Sequence, residues 1–132
     1  VQPRSIATFP TVFHAIATVS GSLHAHTSLP DILRATFPGG SITGAPKIRS
    51  MEIIDECEPH ARGVYTGSIG FIGINDNVCL NIAIRTIIIS DSVAYVQAGG
   101  GIVADSDPDA EYRETITKAR ALLAAIKSIN GT

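Results

Sequence analysis

Hydrophobic and polar positions fall into two regimes along the chain. From Asp107 to about Ile129 apolar residues recur at helical spacing, with Asp107 as N-cap, Pro108 at the first helical position and Gly131 beyond the end. Upstream, VYTGSIGFIGI from Val64, NVCLNIAIRTIIIS from Asn77 and VAYVQA from Val93 are β-rich runs separated by Asn75-Asp76 and Ser90-Asp91-Ser92. Loops this short imply an antiparallel meander, because a parallel pair needs a crossover of a dozen residues or more.

The amino-terminal part is more mixed. Thr11 to Val19 reads as a strand ending at Ser20-Gly21, and Pro30 to Thr36 as a short helix with Ser28 as N-cap, stopped by Pro38-Gly39-Gly40. A second helix is expected from near Pro46 to before Pro59. No internal repeat or linker is evident. The fold class is therefore α+β, an antiparallel sheet with helices on its outer face.

NVCLNIAIRTIIIS is apolar at nearly every position, which implies a strand covered on both faces, yet three helices cover only one side of a sheet. Residues 1–132 are therefore expected to be the C-terminal portion of a larger domain, or to receive their second layer from another polypeptide.

Composition narrows the function. The 132 residues are 45% hydrophobic and 17% charged, with a net charge of −2, which excludes a disordered chain. No basic run offers the electrostatic footprint of a nucleic-acid binder. Cys57 and Cys79 form neither a disulfide framework nor a CxxC pair, and no apolar stretch has membrane-spanning length or signal-peptide form. A cytoplasmic protein with no membrane or nucleic-acid partner is expected.

Several motifs carry candidate chemistry. PGGSITGAPK, Pro38 to Lys47, places glycines and hydroxyls before a helix, where backbone N–H groups favour anions; it lacks the Gly-Lys-[Ser/Thr] ending of a P-loop and also reads as a plain inter-helix loop. GGGIVA, Gly99 to Ala104, matches a dinucleotide pattern without the βαβ setting, leaving a turn or bulge, or backbone facing a ligand.

On the final helix, at roughly 100° per residue from Glu111, the stripe Ala119, Leu122, Leu123, Ile126 centres near 70°, with Glu114 and Lys118 near 300° and 340°. Glu111, Glu114 and Lys118 thus share a face. Two carboxylates at i and i+3 suit a hard cation such as Mg²⁺. The alternative is an ordinary Glu114–Lys118 pair worth roughly 0.3 kcal/mol. Arg85, inside an apolar strand, needs a carboxylate partner, whether ligand or structural Glu. His14, flanked by apolar residues, reads as a core histidine or a catalyst.

Together, PGGSITGAPK, MEIIDECEP, RGVYTGSIG, IAIRT, AGGGIVADS and EYRETITKAR resemble the C-terminal part of the chorismate-utilising enzymes, over nearly the whole chain. TGAPK preceded by PGGSI is more similar to the aminodeoxychorismate synthase component I branch than to anthranilate synthase component I, which tends to have Ser where Thr43 stands.

The resemblance implies a large α+β domain and a Mg²⁺ ion holding the ring carboxylate of chorismate. Residue by residue it implies Glu111 and Glu114 as metal ligands and Arg85, Tyr65 and Lys118 around the pyruvyl carboxylate. Gly99 and Gly101 match backbone donors to that group, Ser41 a hydroxyl lining the ring, and His14 the histidine beside it. The implied reaction adds a nucleophile at C2 as the C4 hydroxyl leaves and yields 4-amino-4-deoxychorismate, with ammonia from a glutamine amidotransferase partner.

Three departures accompany the likeness. A further metal-binding Glu and a nucleophilic Lys of the family lie upstream of these residues, Ala17 stands where Ser is common, and Cys79 where Asp is usual. The isolated chain is therefore expected not to turn over chorismate, and a non-catalytic folded or interaction module is the rival reading.

Overall fold

The computed structural model describes residues 1–8 and 13–129. These divide into two compact units, 1–33 and 34–132. In the first, strands β1 (Ser5–Thr8) and β2 (Phe13–Ile16) pair antiparallel, with Ser5 opposite Ile16 and Ala7 opposite His14. β2 stops three residues short of the expected Val19, and its expected start at Thr11 lies outside the described residues. β1 lies in a stretch for which the sequence pattern predicts no element.

Helix α1 spans Leu29–Thr36. Its start is a reciprocal cap: the Ser28 backbone N–H donates to Asp31 Oδ2 at 3.1 Å and the Asp31 N–H lies 3.4 Å from Ser28 Oγ. The Lys47 ammonium sits 3.4 Å from the carbonyls of Ala35 and Phe37, a cation over the helix's carboxy end.

The glycine-rich segment is not a plain loop. Gly40–Thr43 forms one helical turn, α2, which ends at Gly44 with φ +108, a conformation that side chains rarely adopt. A Cβ on Gly44 would also stand 2.8 Å from Ser50 Oγ. Helix α3 follows as Lys47–Cys57, with Pro46 as the residue before its first turn.

The β-rich region folds as two antiparallel hairpins. β3 (Ser68–Ile72) pairs with β4 (Val78–Ile82), and β5 (Ile87–Ser90) with β6 (Val93–Val96). NVCLNIAIRTIIIS is therefore two strands instead of one, and the expected meander is two separate ladders among the described residues. The interruption has a backbone cause. Ala83 N–H bonds to the Gly67 carbonyl and Thr66 N–H to the Ala83 carbonyl, each at 2.9 Å, and Arg85 then takes φ +54, which no strand continues through.

Helix α4 runs Pro108–Ile129, started by Asp107, whose Oδ1 accepts from the Ala110 N–H at 2.8 Å. Gly131 lies outside the described residues. Its better covered side holds Glu111, Thr115, Lys118, Ala119, Leu122 and Ile126, while Leu123 is 48% exposed. The covered stripe is thus rotated from the expected one toward Glu111 and Lys118, because α4 lies against β6 along that side.

Ala83 is the fully buried hydrophobic residue among the described ones, while Phe71, Ile72 and Ile89 of the strands are each more than 60% exposed. The expected strand buried on both faces is not seen: in that segment Ala83 is buried and Leu80, Ile82, Ile87 and Ile88 are half-buried, while Val78, Cys79, Ile84 and Ile89 are exposed. The α+β class holds, as short antiparallel sheets with helices.

Candidate functional site

A cavity of about 640 Å³ opens in the second unit. Ser41, Tyr65, Arg85, Gly99, Gly101 and Lys118, six positions singled out in the sequence, all line it. They arrive from five parts of the fold: α2, the turn before β3, the β4–β5 break, the segment after β6 and α4. The size suits a small molecule.

Three cations line the cavity, and their partners differ. Arg62 makes a forked pair with Glu58, Nε to Oε2 at 2.8 Å and Nη2 to Oε1 at 2.5 Å. That fork holds the Glu58 carboxyl below the usual carboxylate range and raises the guanidinium. Lys118 pairs with Glu114 at 2.5 Å and reaches the Gly99 carbonyl at 3.3 Å. The Lys118 hydrogen bond lowers the Glu114 carboxyl. Arg85 has no carboxylate partner among the described residues. It is exposed at the strand break, not buried in a strand as its apolar flanks suggested.

The glycine run after β6 is no turn, and none of its glycines has positive φ. Close approach explains two of them. A Cβ on Gly99 would stand 3.2 Å from the Tyr65 hydroxyl, and one on Gly100 would stand 2.9 Å from Glu111 Oε2. At Gly101 a Cβ would meet nothing within 4 Å, so its place is open toward space.

Glu111 is half-buried, and its Oε1 accepts from Ser106 Oγ at 2.6 Å. Ser106 also accepts from the Val103 N–H at 3.0 Å, tying the carboxylate to the loop that follows the glycines. Glu114, one turn on, is exposed. Among the described residues no group of three His, Cys, Asp or Glu side chains gathers to hold a metal. Glu111 and Glu114 stand one helical turn apart on α4, the first tied to Ser106 and the second to Lys118.

His14 is exposed on β2 in the first unit, not a core histidine. Glu58, His60, Arg62, Thr66 and Gln97 line the cavity although the sequence reading gave them no role. Glu58 and Arg62 are four apart, yet Pro59 stands between them and no helical periodicity marks the pair.

No helix among the described residues is long and apolar enough to cross a membrane. The sequence profile of the family described as chorismate binding enzyme matches residues 2–124. An anthranilate synthase component 1 of Haloarcula marismortui is 49% identical over 97% of this chain and 25% of its own. An aminodeoxychorismate synthase component 1 of Klebsiella aerogenes is 51% identical over 91% of this chain and 27% of its own. The crystal structure of anthranilate synthase component I from Streptococcus pneumoniae superposes with a TM-score of 0.83 at 45% identity, covering 90% of this chain and 27% of that one. The chain thus spans about a quarter of the length of these relatives. A match over nearly all its residues, joined to a cavity lined by the motifs that carry the likeness, makes this chain a member of the chorismate binding enzyme family.

Proposed function

We propose that this chain supplies part of the chorismate site of an amination reaction, with 4-amino-4-deoxychorismate as the product. The observation that carries the reading is Arg85: a guanidinium in a cavity wall with no carboxylate of the described residues committed to it. Exposed to the cavity, that guanidinium is free to take a carboxylate ligand, which its planar fork matches in two hydrogen bonds. Lys118, already shared between Glu114 and the Gly99 carbonyl, is a second cation in the lining. Ser41 and the Tyr65 hydroxyl are neutral groups of the lining that can orient a ring.

The donor set fits magnesium. Mg²⁺ takes oxygen ligands and is commonly held by one or two carboxylates together with water and an anionic substrate group. Glu111 and Glu114 would hold it, and when bound it would supply positive charge to the ring carboxylate. Glu111 comes prepared: Ser106 fixes one oxygen, and the other is turned toward Gly100. Glu114 would have to share its carboxylate with Lys118. His14 is proposed as the histidine beside the ring, and a glutamine amidotransferase subunit as the ammonia source, by the likeness of the motifs.

A second reading, release of anthranilate, is favoured by the relatives of that name, the Haloarcula and Streptococcus proteins among them. Thr43, the residue that separates the branches in sequence, turns its hydroxyl to the Gly39 carbonyl at 3.2 Å and is not among the residues lining the 640 Å³ cavity. The test is to give the full-length protein chorismate, magnesium and either ammonia or glutamine, and to identify the product. Aminodeoxychorismate is expected; anthranilate selects the second reading, and no magnesium-dependent consumption of chorismate rejects both.

A further inference from the structure

Arg62 has a partner, and what it does with the rest of its guanidinium bears on the cavity. Its Nη1 lies 3.4 Å from Thr66 Oγ1, and its Cζ stands 5.8 Å from the Tyr65 ring centroid, within range of a cation–π contact. The fork to Glu58 fixes the plane of the guanidinium, so these two contacts are made from a defined place.

The turn they touch is unusual. Thr66 is 9% exposed and takes φ +66, a conformation that β-branched residues rarely adopt. It is held by several groups together: its N–H bonds to the Ala83 carbonyl at 2.9 Å, its hydroxyl to the Tyr65 carbonyl at 2.5 Å, and the Tyr65 N–H to the Arg62 carbonyl at 3.1 Å. Backbone strain of this kind persists only where its surroundings over-determine it. Its result is a tyrosine hydroxyl set so close to Gly99 that a methyl group there would lie 3.2 Å from it.

We propose that Arg62, clamped by Glu58, is a positioning residue: it fixes the Tyr65–Thr66 turn so that the Tyr65 hydroxyl is presented to the carboxylate-bearing ligand beside Gly99. The inference rests on the chorismate reading of the cavity. Arg62 acts through Tyr65 and contributes no charge of its own to the ligand, because Glu58 neutralises it. Arg85 remains the cavity cation with no carboxylate partner among the described residues.

The claim is tested by coupling, measured as chorismate affinity in the full-length protein. Tyr65→Phe is expected to weaken binding about five- to ten-fold in the otherwise unaltered protein and less than about two-fold when Arg62→Gln is already present, as for residues that act as one unit. Glu58→Gln, which leaves the guanidinium in place but removes one side of its clamp, is expected to show the same loss of sensitivity. Equal effects of Tyr65→Phe in all backgrounds would overturn the proposal. A wild-type protein that binds no chorismate would overturn the functional reading instead. The positioning claim is then decided without ligand, by the Gly99 amide resonance. Arg62→Gln should shift it when Tyr65 is present and shift it less when Tyr65 is Phe, where the hydroxyl beside Gly99 is gone; a shift of the same size in both overturns the claim.

Discussion

Gly100 and Glu111 are in close opposition: a methyl group placed on the glycine would stand 2.9 Å from the carboxylate's Oε2. The obstacle is the far end of a flexible side chain, so Gly100→Ala is expected to fold and to push that carboxylate aside. Glu111 Oε1 would keep its hydrogen bond to Ser106 only by a changed torsion. In the full-length protein, the magnesium concentration for half-maximal activity should rise about ten-fold or more, the scale on which displaced metal-site groups act. At Gly101, where a Cβ meets no protein atom within 4 Å, Ala should leave the magnesium response unchanged. Equal magnesium responses for the two variants would remove Glu111 from the metal site.

Glu114 makes a second, independent case. It is exposed, and its structural commitment is the pair with Lys118. Glu114→Gln should therefore leave the thermal midpoint close to wild type while lowering magnesium-dependent turnover by about 100-fold, the upper range for altered metal sites. Turnover and magnesium dependence like those of the wild type would assign Glu114 to the surface pair with Lys118 alone.

Acid should act on the Glu58–Arg62 clamp. The folded-state pKa of Glu58 lies below its ordinary value of 4.5, so the group contributes stability that is present above that value and is lost as pH falls through the folded pKa. With the Glu58 side chain 39% exposed, the contribution is discounted for solvent screening to about 0.2–1 kcal/mol. Denaturant unfolding of wild type and Glu58→Gln should differ by about that much at pH 7, and the difference should narrow as pH falls below 4.5. A difference that stays constant throughout the acid range in which the protein remains folded would mean the side chain acts by packing and not by charge.

How far these features could be read beforehand depends on whether their cause was local. Asp107 followed by Pro108, Ser28 followed by Asp31, and the proline before α3 are local cap chemistry, and all three helices begin where those residues place them. The single turn of α2 was hidden because glycines signal loops more strongly than helices. Arg85 was misjudged for a different reason. Its apolar flanks promise a buried strand, whereas the pairing with β3 runs out at Ala83 and the backbone leaves the extended conformation at Arg85, with positive φ. The rotation of α4 away from Leu123 likewise depends on its contact with β6, which no helical wheel contains. Glu58 and Arg62 left no periodic trace, because the turn that joins them contains Pro59.

Arg85 allows binding and folding to be separated by a single substitution. At φ +54 an ordinary side chain costs roughly 1–2 kcal/mol, a cost that glycine escapes. Glycine in turn gives up about 0.4–1 kcal/mol through the freer unfolded chain. Arg85→Gly should therefore leave stability unchanged or slightly raised, whereas Arg85→Ala keeps the backbone cost. Both remove the guanidinium, and a hydrogen-bonded charge pair to a carboxylate is worth about 1.5–3 kcal/mol. Chorismate affinity should thus fall by roughly 10- to 150-fold in both variants of the full-length protein. Equilibrium binding set beside thermal unfolding checks the two expectations separately. Affinity within two-fold of wild type in both variants would leave the cavity without its carboxylate anchor and withdraw the reading built on it.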